Sequence, residues 1–171
     1  MNNLFATDYE TPDGVGRVFA IGDRIYRVEL PAAKREEEGL RSSELTRNTA
    51  VLLQRYFSGE QVSFDAIPVS FEDVSPFYMK VQLEVRRIPF GAVRSYGEVA
   101  ALCGSPRSSR AVGGAMAHNR LPIIVPCHRV VAGNGALTGF SGAGGIQAKF
   151  RLLQMEGIEF NGLKVVVCGG L

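Results

Sequence analysis

Between residues 15 and 30 the chain alternates apolar and polar positions, VGRVFAIGDRIYRVEL, around the pair Gly22-Asp23. A period of two broken by glycine and aspartate predicts a hairpin, two antiparallel strands joined by a tight turn. The period then changes. In RSSELTRNTAVLLQRYFSGE, Leu45, Thr49, Leu52, Leu53 and Tyr56 fall at helical spacing and Gly59 ends the run. QVSFDAIPVSF, next along the chain, reads as strand-rich. These elements predict a small N-terminal α/β domain over residues 1–75, an antiparallel sheet plus a helix, with no recognisable chemistry of its own.

From Pro76 the pattern becomes mostly helical. SPFYMKVQLEVRRIPFG begins with a serine cap and a proline at the first helical position, and it stops before Pro89. In SYGEVAALCG, Ser95 and Glu98 have the spacing of a capping box, which starts a helix at Tyr96 and ends it near Gly104. SPRSSRAVGGAMAHN repeats the serine-proline start at Ser105-Pro106. Two short helices around a Gly-Ser-Pro turn are a candidate helix-turn-helix within a C-terminal domain over residues 76–171. The fold class is therefore α/β, with the helices concentrated in the second domain.

The second helix of that pair is nearly bare. After Arg107 and Arg110 it carries Gly113, Gly114, Ala115 and Ala117. Each interior glycine costs roughly 1 kcal/mol relative to alanine. Tight packing against a neighbouring helix and close approach to another surface both account for that cost, and the sequence does not choose between them. The helix lacks the long polar side chains that read a major groove.

Composition adds a boundary and an asymmetry. At 171 residues, with 46% hydrophobic and 21% charged positions, the chain has the make-up of a folded globular protein. No apolar run approaches the roughly 20 residues that span a bilayer, and the N-terminus MNNLFATDYETPDG has no signal-like core. The expectation is an intracellular protein, cytoplasmic or, in a eukaryote, nuclear, with no membrane partner. Residues 1–75 carry a net charge of −5 and residues 76–171 a net charge of +7. The basic part is the one suited to a polyanion, although a basic face also serves solubility.

Three cysteines, Cys103, Cys127 and Cys168, are an odd number and argue against a disulfide framework. Neither C-x-x-C nor H-x-x-x-H spacing occurs, so no metal site is expected. The candidate chemistry lies in LPIIVPCHRVV, where Cys127 and His128 adjoin. A free thiol is only a few per cent thiolate at neutral pH unless a neighbour takes its proton. His128 is the nearby base, yet on an extended chain adjacent side chains point to opposite faces. Reaching the sulfur then needs a turn or a bridging water. A carboxylate to orient the imidazole must come from Glu84, Glu98, Glu156 or Glu159, the four acidic residues beyond Pro76. Pro122 and Pro126 suggest a stiff, extended presenting segment. Downstream, GNGALTGFSGAGG is too glycine-rich for a core and could fold over a flat ligand.

VRSYGEVA, SSRAVGGAMAHN, LPIIVPCHRVVAGNGALTGFSG and KFRLLQMEG, in that order from about Pro76 to Gly157, resemble the O6-alkylguanine-DNA alkyltransferases, also called methylated-DNA–protein-cysteine methyltransferases. The resemblance implies direct reversal of DNA damage: one methyl or small alkyl group passes irreversibly from O6 of guanine to Cys127, with O4 of thymine an open second source. It implies no cofactor, a monomer, and double-stranded DNA containing O6-alkylguanine as the partner. His128 would be the base, acting through a water, and Glu156 its orienter. Asn119 would hold the turn against the acceptor segment.

The same resemblance assigns the DNA contacts and the pocket. Arg110 would fill the gap left by a flipped base, and Tyr96 would press on the adjoining phosphate and the base while serving as proton donor. Arg107, Ser109, Ala111, Gly113 and Arg129 would also meet DNA. Ser141 would hydrogen-bond the guanine O6 in a pocket shared with Met116, Phe140 and Val130. An extruded base costs a few kcal/mol of unstacking, which an inserted side chain offsets.

Three positions depart from the family pattern. Phe140 replaces a frequent tyrosine, SGAGG is two residues longer than a compact Ser-Gly-Gly, and Arg120 stands where many members have proline. Some members bind zinc in the N-terminal domain; with no cysteine before Cys103 and no histidine before His118, none is expected here. Two other readings remain open: a lesion-binding protein of the alkyltransferase-like type that flips bases without repairing them, and a Cys-His hydrolase using the glycine-rich loop as an oxyanion site. The acceptor cysteine speaks against the first, and the basic helix pair is unexplained by the second.

Overall fold

A computed structural model describes residues 3–33, 39–142 and 144–166. The chain falls into two compact units, Met1–Asp73 with Arg120–Ile124, and Val74–Asn119 with Val125–Leu171. Cys168 lies outside the described residues.

In the first unit, strands β1 (Leu4–Thr11), β2 (Gly14–Ile21) and β3 (Arg24–Ala32) form an antiparallel sheet in the order β1-β2-β3. The expected hairpin is β2-β3, turning at Gly22, whose φ of 58° suits glycine. Strand β1, which the alternation between residues 15 and 30 did not reach, pairs with β2 from Leu4↔Ile21 to Thr11↔Gly14. Helix α1 (Glu44–Phe57) buries Thr46, Thr49, Ala50, Leu53 and Tyr56. Its buried stripe is thus turned slightly from the expected one, leaving Leu45 and Leu52 half-buried. The rotation brings Thr46 to Thr7 of β1, hydroxyl to hydroxyl at 2.7 Å.

The stretch expected to be strand-rich is mostly irregular. Ile67 N–H closes a turn onto Phe64, and Pro68 has no N–H to give, so pairing shrinks to one parallel bridge between Val69 and Ile25.

In the second unit, α2 (Pro76–Arg86) starts at its serine cap and proline as expected. A two-residue strand, β4 (Arg94–Ser95), leads into α3 (Tyr96–Leu102), whose capping box between Ser95 and Glu98 forms in both directions. Helix α4 (Ser109–Ala117) begins three residues later than its sequence suggests. Ser108 N–H bonds Ser105 C=O at 2.9 Å, so Pro106 opens a turn instead of a helix. The remaining elements are a 3₁₀ turn at Cys127–Arg129, β5 (Val130–Val131), α5 (Gly145–Met155), and a terminal hairpin of β6 (Phe160–Asn161) and β7 (Lys164–Val165).

Parallel pairing of β4 with β5, Arg94↔Val130 and Ser95↔Val131, fixes the site. It sets the residue after β4, Tyr96, near the turn that precedes β5. Below lies an apolar cluster of Val131, Leu137, Leu153 and Val165, with Val93, Phe150, Ile158 and Phe160 packed against it.

Candidate active site

The segment through Cys127 is not extended. Ile123 and Ile124 form a turn, with Ile123 at φ 72°, an unusual conformation for a β-branched residue. Cys127 N–H then bonds Val125 C=O at 2.8 Å, folding the chain sharply at Pro126. Cys127, His128 and Arg129 follow on the 3₁₀ turn, where successive side chains diverge by about 120°. The adjacency that an extended chain makes awkward is resolved by this fan. All three residues are buried.

Cys127 faces a cavity of about 580 Å³. Its walls are Tyr96 from the start of α3, Ser109, Arg110, Gly113, Met116 and Ala117 from α4, and the loop Thr138–Ser141. The sequence-derived residues Cys127, Tyr96, Arg110, Ser109, Gly113, Met116, Phe140 and Ser141 therefore meet at one place. Ala117, Thr138 and Gly139 join them without having been singled out. Arg107 is exposed and Ala111 half-exposed, both outside the lining.

His128 points the other way, to Glu156 at the C-terminal end of α5. Its Nε2 lies 2.7 Å from Glu156 Oε1, and both side chains are shut off from solvent. Of the four available carboxylates, the fold brings Glu156 to the imidazole. Nδ1 is the ring nitrogen that Glu156 does not use. Asn119 donates from Nδ2 to Val125 C=O at 2.8 Å, pinning the chain two residues before the acceptor.

Two residues expected elsewhere belong to this buried framework. Arg129, assigned to DNA, is 7% exposed, and its guanidinium is committed to Glu156 and to Ile88 C=O. Val130, assigned to the pocket, is fully buried in β5 and does not line the cavity. In both cases the turn and the β4-β5 pairing direct the side chain inward.

Sequence reasoning missed Lys149. Its ammonium group is buried and donates to Val130 C=O at 2.6 Å, Thr138 C=O at 3.0 Å and Gly139 C=O at 3.5 Å. It sits 5.8 Å from the centre of the Tyr96 ring, and the Tyr96 hydroxyl donates to the same Thr138 carbonyl at 3.1 Å. The signal was present: on α5, Lys149 shares a helical face with Leu152 and Leu153, so a lysine occupies the buried stripe.

These surroundings set the protonation states. Burial pushes the Cys127 thiol up, against a hydrogen bond from Asn119 and the Lys149 charge, which both favour thiolate. Burial pushes His128 down despite Glu156, and the charges of Arg129 and Lys149 push the same way. For Glu156, burial alone would raise the carboxyl, but hydrogen bonds and charge from His128 and Arg129 outweigh it and pull it down to about 2. Lys149 is lowered to about 8 by burial. Tyr96 is raised by burial against its bond to Thr138. At neutral pH the resting site holds a neutral thiol, a neutral imidazole and an ionised Glu156. Such a set can move one proton from sulfur to imidazole.

The two glycines of α4 answer to different surroundings. A Cβ on Gly114 would lie 2.5 Å from the Tyr78 hydroxyl oxygen of α2, whereas one on Gly113 would meet nothing within 4 Å. Helix packing explains the first. The second leaves the backbone open beside the cavity mouth.

Comparison with known proteins gives a consistent set. Residues 76–158 match the family model described as the DNA-binding domain of 6-O-methylguanine DNA methyltransferase. A constitutive methylated-DNA–protein-cysteine methyltransferase of Bacillus subtilis is 39% identical, over 91% of this chain and 97% of the relative. A methylated-DNA–protein-cysteine methyltransferase of Methanosarcina acetivorans is 41% identical over 77% of this chain and 78% of the relative. Among solved structures, Mycobacterium tuberculosis OGT in complex with DNA superposes with a TM-score of 0.76 at 32% identity, covering 90% of this chain and 93% of that one.

Proposed function

The chain belongs to the methylated-DNA–protein-cysteine methyltransferases, and from that premise we propose that Cys127 accepts one alkyl group from O6 of guanine in duplex DNA, with the base extruded into the cavity above it. The observation that carries this reading is the fan of Cys127, His128 and Arg129, which faces a thiol to the cavity and an imidazole to a buried carboxylate.

DNA would approach along α4, where Gly113 offers bare backbone and Arg110 stands at the rim. Arg110 would enter the base stack as the lesion leaves it, offsetting unstacking of about a few kcal/mol. The narrow minor groove suits a helix with so little side chain. Arg107, exposed near the helix start, and Ser109 and Ala111 on its first turn would contact the backbone. Inside the pocket the purine would lie against Met116 and Phe140, with Ser141 near its O6.

The chemical step is an in-line displacement. The thiol proton passes through a bridging water to Nδ1 of His128, which becomes imidazolium while Glu156 keeps hold of its Nε2–H. The sulfur lone pair forms the S–C bond as the C–O6 bond breaks, and its electrons leave with the purine. Asn119 and Lys149 stabilise the thiolate before attack. Tyr96, released from the Thr138 carbonyl, would donate a hydrogen bond to the purine as charge develops there. The product is a thioether, which water does not cleave, so the protein acts once, as a monomer on a single lesion.

The test is an intact-mass measurement after incubation with a duplex containing a single O6-methylguanine. The expected result is a gain of one methyl group per chain, mapped to Cys127, at a stoichiometry not exceeding one. Tight binding with no mass gain would instead favour the lesion-flagging reading, and ester or amide turnover would favour a hydrolase. The same experiment with O4-methylthymine and with bulkier O6-alkyl groups defines the substrate range.

A further inference from the structure

Glu156 is held by more than the histidine it orients. Its Oε2 accepts from Arg129 Nε at 2.9 Å and from Gly91 N–H at 3.2 Å, and its Oε1 accepts from Arg129 Nη2 at 3.0 Å as well as from His128. The guanidinium therefore grips both carboxylate oxygens in a bidentate pair, and its remaining Nη1 is anchored on Ile88 C=O at 2.6 Å. Gly91, at φ 76°, turns its N–H inward to complete the cradle. None of this is needed merely to place a carboxylate beside an imidazole.

A carboxylate left to one histidine can rotate, and its full charge would draw that histidine toward the imidazolium form. A base that is already protonated cannot take a proton from a thiol. Sharing Glu156 with a guanidinium removes both problems: the carboxylate plane is fixed, and only part of its charge is felt by the ring. The charged groups acting on His128 are Glu156 at the C-cap of α5, Lys149 of α5 and Arg129 of the 3₁₀ turn, with the Cys127 thiol its neighbour on that turn, and both cations oppose protonation of the ring.

We propose that Arg129 is a positioning residue of the acceptor relay, clamping Glu156 so that His128 stays neutral with Nε2–H on the carboxylate and Nδ1 left as the base. This rests on the reading of Cys127 as acceptor and goes beyond it by giving the arginine that follows Cys-His a role in proton transfer and none in DNA contact. Arg129 touches neither lesion nor sulfur in this role; it acts through Glu156.

The test uses the full chain with Arg129→Met, which fills a similar volume without charge, and Arg129→Lys, which keeps charge but loses the fork. Single-turnover transfer from an O6-methylguanine duplex is followed by intact mass from pH 5 to 9, together with duplex affinity and the ¹⁵N shifts of His128. For Arg129→Met we expect duplex affinity within about twofold of wild type, transfer slowed roughly tenfold or more at neutral pH, and an acid limb moved to higher pH. Arg129→Lys should be slowed less, with its acid limb near the wild-type position. Two results overturn the proposal: a folded Arg129→Met whose acid limb and His128 tautomer match wild type, or one that loses duplex affinity while transferring at the normal rate once bound. If Arg129→Met does not fold, Arg129→Lys decides: transfer slowed at unchanged duplex affinity supports the proposal, and a rate, acid limb and His128 tautomer that all match wild type overturn it. Absence of any mass gain in the wild-type chain sinks the acceptor reading itself, an outcome separate from these.

Discussion

His128 and Glu156 meet 2.7 Å apart at a point that solvent does not reach. Twenty-eight residues separate them in the chain, and the contact exists because α5 ends where the 3₁₀ turn begins its fan. Chemistry and stability are joined at this contact, since the carboxylate must be ionised both to orient the imidazole and to satisfy Arg129.

Acid should unfold the protein in two overlapping stages. His128 has its folded pKa depressed below its ordinary 6.5, so it contributes stability above that value that fades as pH falls through it. Glu156, held at about 2 against an ordinary 4.5, contributes stability above 4.5 that is lost as pH falls toward 2. The carboxylate's share is about 3 kcal/mol at neutral pH. Urea midpoints measured at pH 7, 6, 5 and 4 should fall throughout. Glu156→Gln should be less stable at pH 7 by about 3–5 kcal/mol, because Arg129 is left uncompensated, and should lose the decline below pH 4.5.

Lys149→Met should slow alkyl transfer by about tenfold to a hundredfold at neutral pH, because the pocket wall at Thr138–Gly139 loses its anchor and the thiolate loses a nearby charge. Thiolate absorbance near 240 nm should titrate at higher pH than in wild type. The stability contribution has the same sign as for His128 and Glu156, at higher pH: with Lys149 depressed from 10.5 to about 8, the unfolded chain binds the extra proton between those values, so this group makes the fold gain stability as pH rises through that window. A transfer rate unchanged in Lys149→Met would remove the residue from the site.

The adjacent glycines of α4 should respond differently to alanine. Gly114→Ala should destabilise by about 1–3 kcal/mol through its clash with Tyr78, and adding Tyr78→Phe should recover much of that loss. Gly113→Ala should stabilise by roughly 0.5–1 kcal/mol, as expected for a glycine removed from an open helix position. Its cost should appear in duplex affinity, as a loss of several-fold. Chemical denaturation and fluorescence titration with a lesion duplex separate the two effects.

Two substitutions separate binding from transfer. Cys127→Ala should keep duplex affinity, and its sensitivity to salt, while gaining no mass. Tyr96→Phe should transfer about ten times more slowly with little change in melting temperature, because the Thr138 carbonyl it releases still accepts from Lys149. Mass gain in Cys127→Ala would move the acceptor elsewhere.

What the sequence made legible was local chemistry with a strong covalent or steric signature. The cap at Ser75-Pro76 and the box at Ser95 and Glu98 start their helices where expected, since each depends on residues within one turn. Ser105-Pro106 misled because a serine-proline pair opens a β-turn as readily as a helix, and here Ser108 N–H closes the turn before α4 can start. Strand β1 carries Ala6 and Tyr9 on no clean alternation, so its period was faint; its partner β2 supplies the order. That His128 would meet Glu156 was an expectation from family resemblance, and the fold brings the two together while turning Cys127 to the cavity. The inward course of Arg129 was not legible, because an arginine beside a reactive cysteine in a basic domain suggests a polyanion until the turn that redirects it is known.

That turn has a consequence for variation. Cys127, His128 and Arg129 occupy three consecutive positions, each aimed by a rotation of about a third of a circle from the one before. Inserting or deleting a single residue after Pro126 would not weaken the arrangement by degrees; it would swap the destinations, sending imidazole to the cavity or thiol to Glu156. Across these three positions only replacement in place keeps each side chain on its present heading.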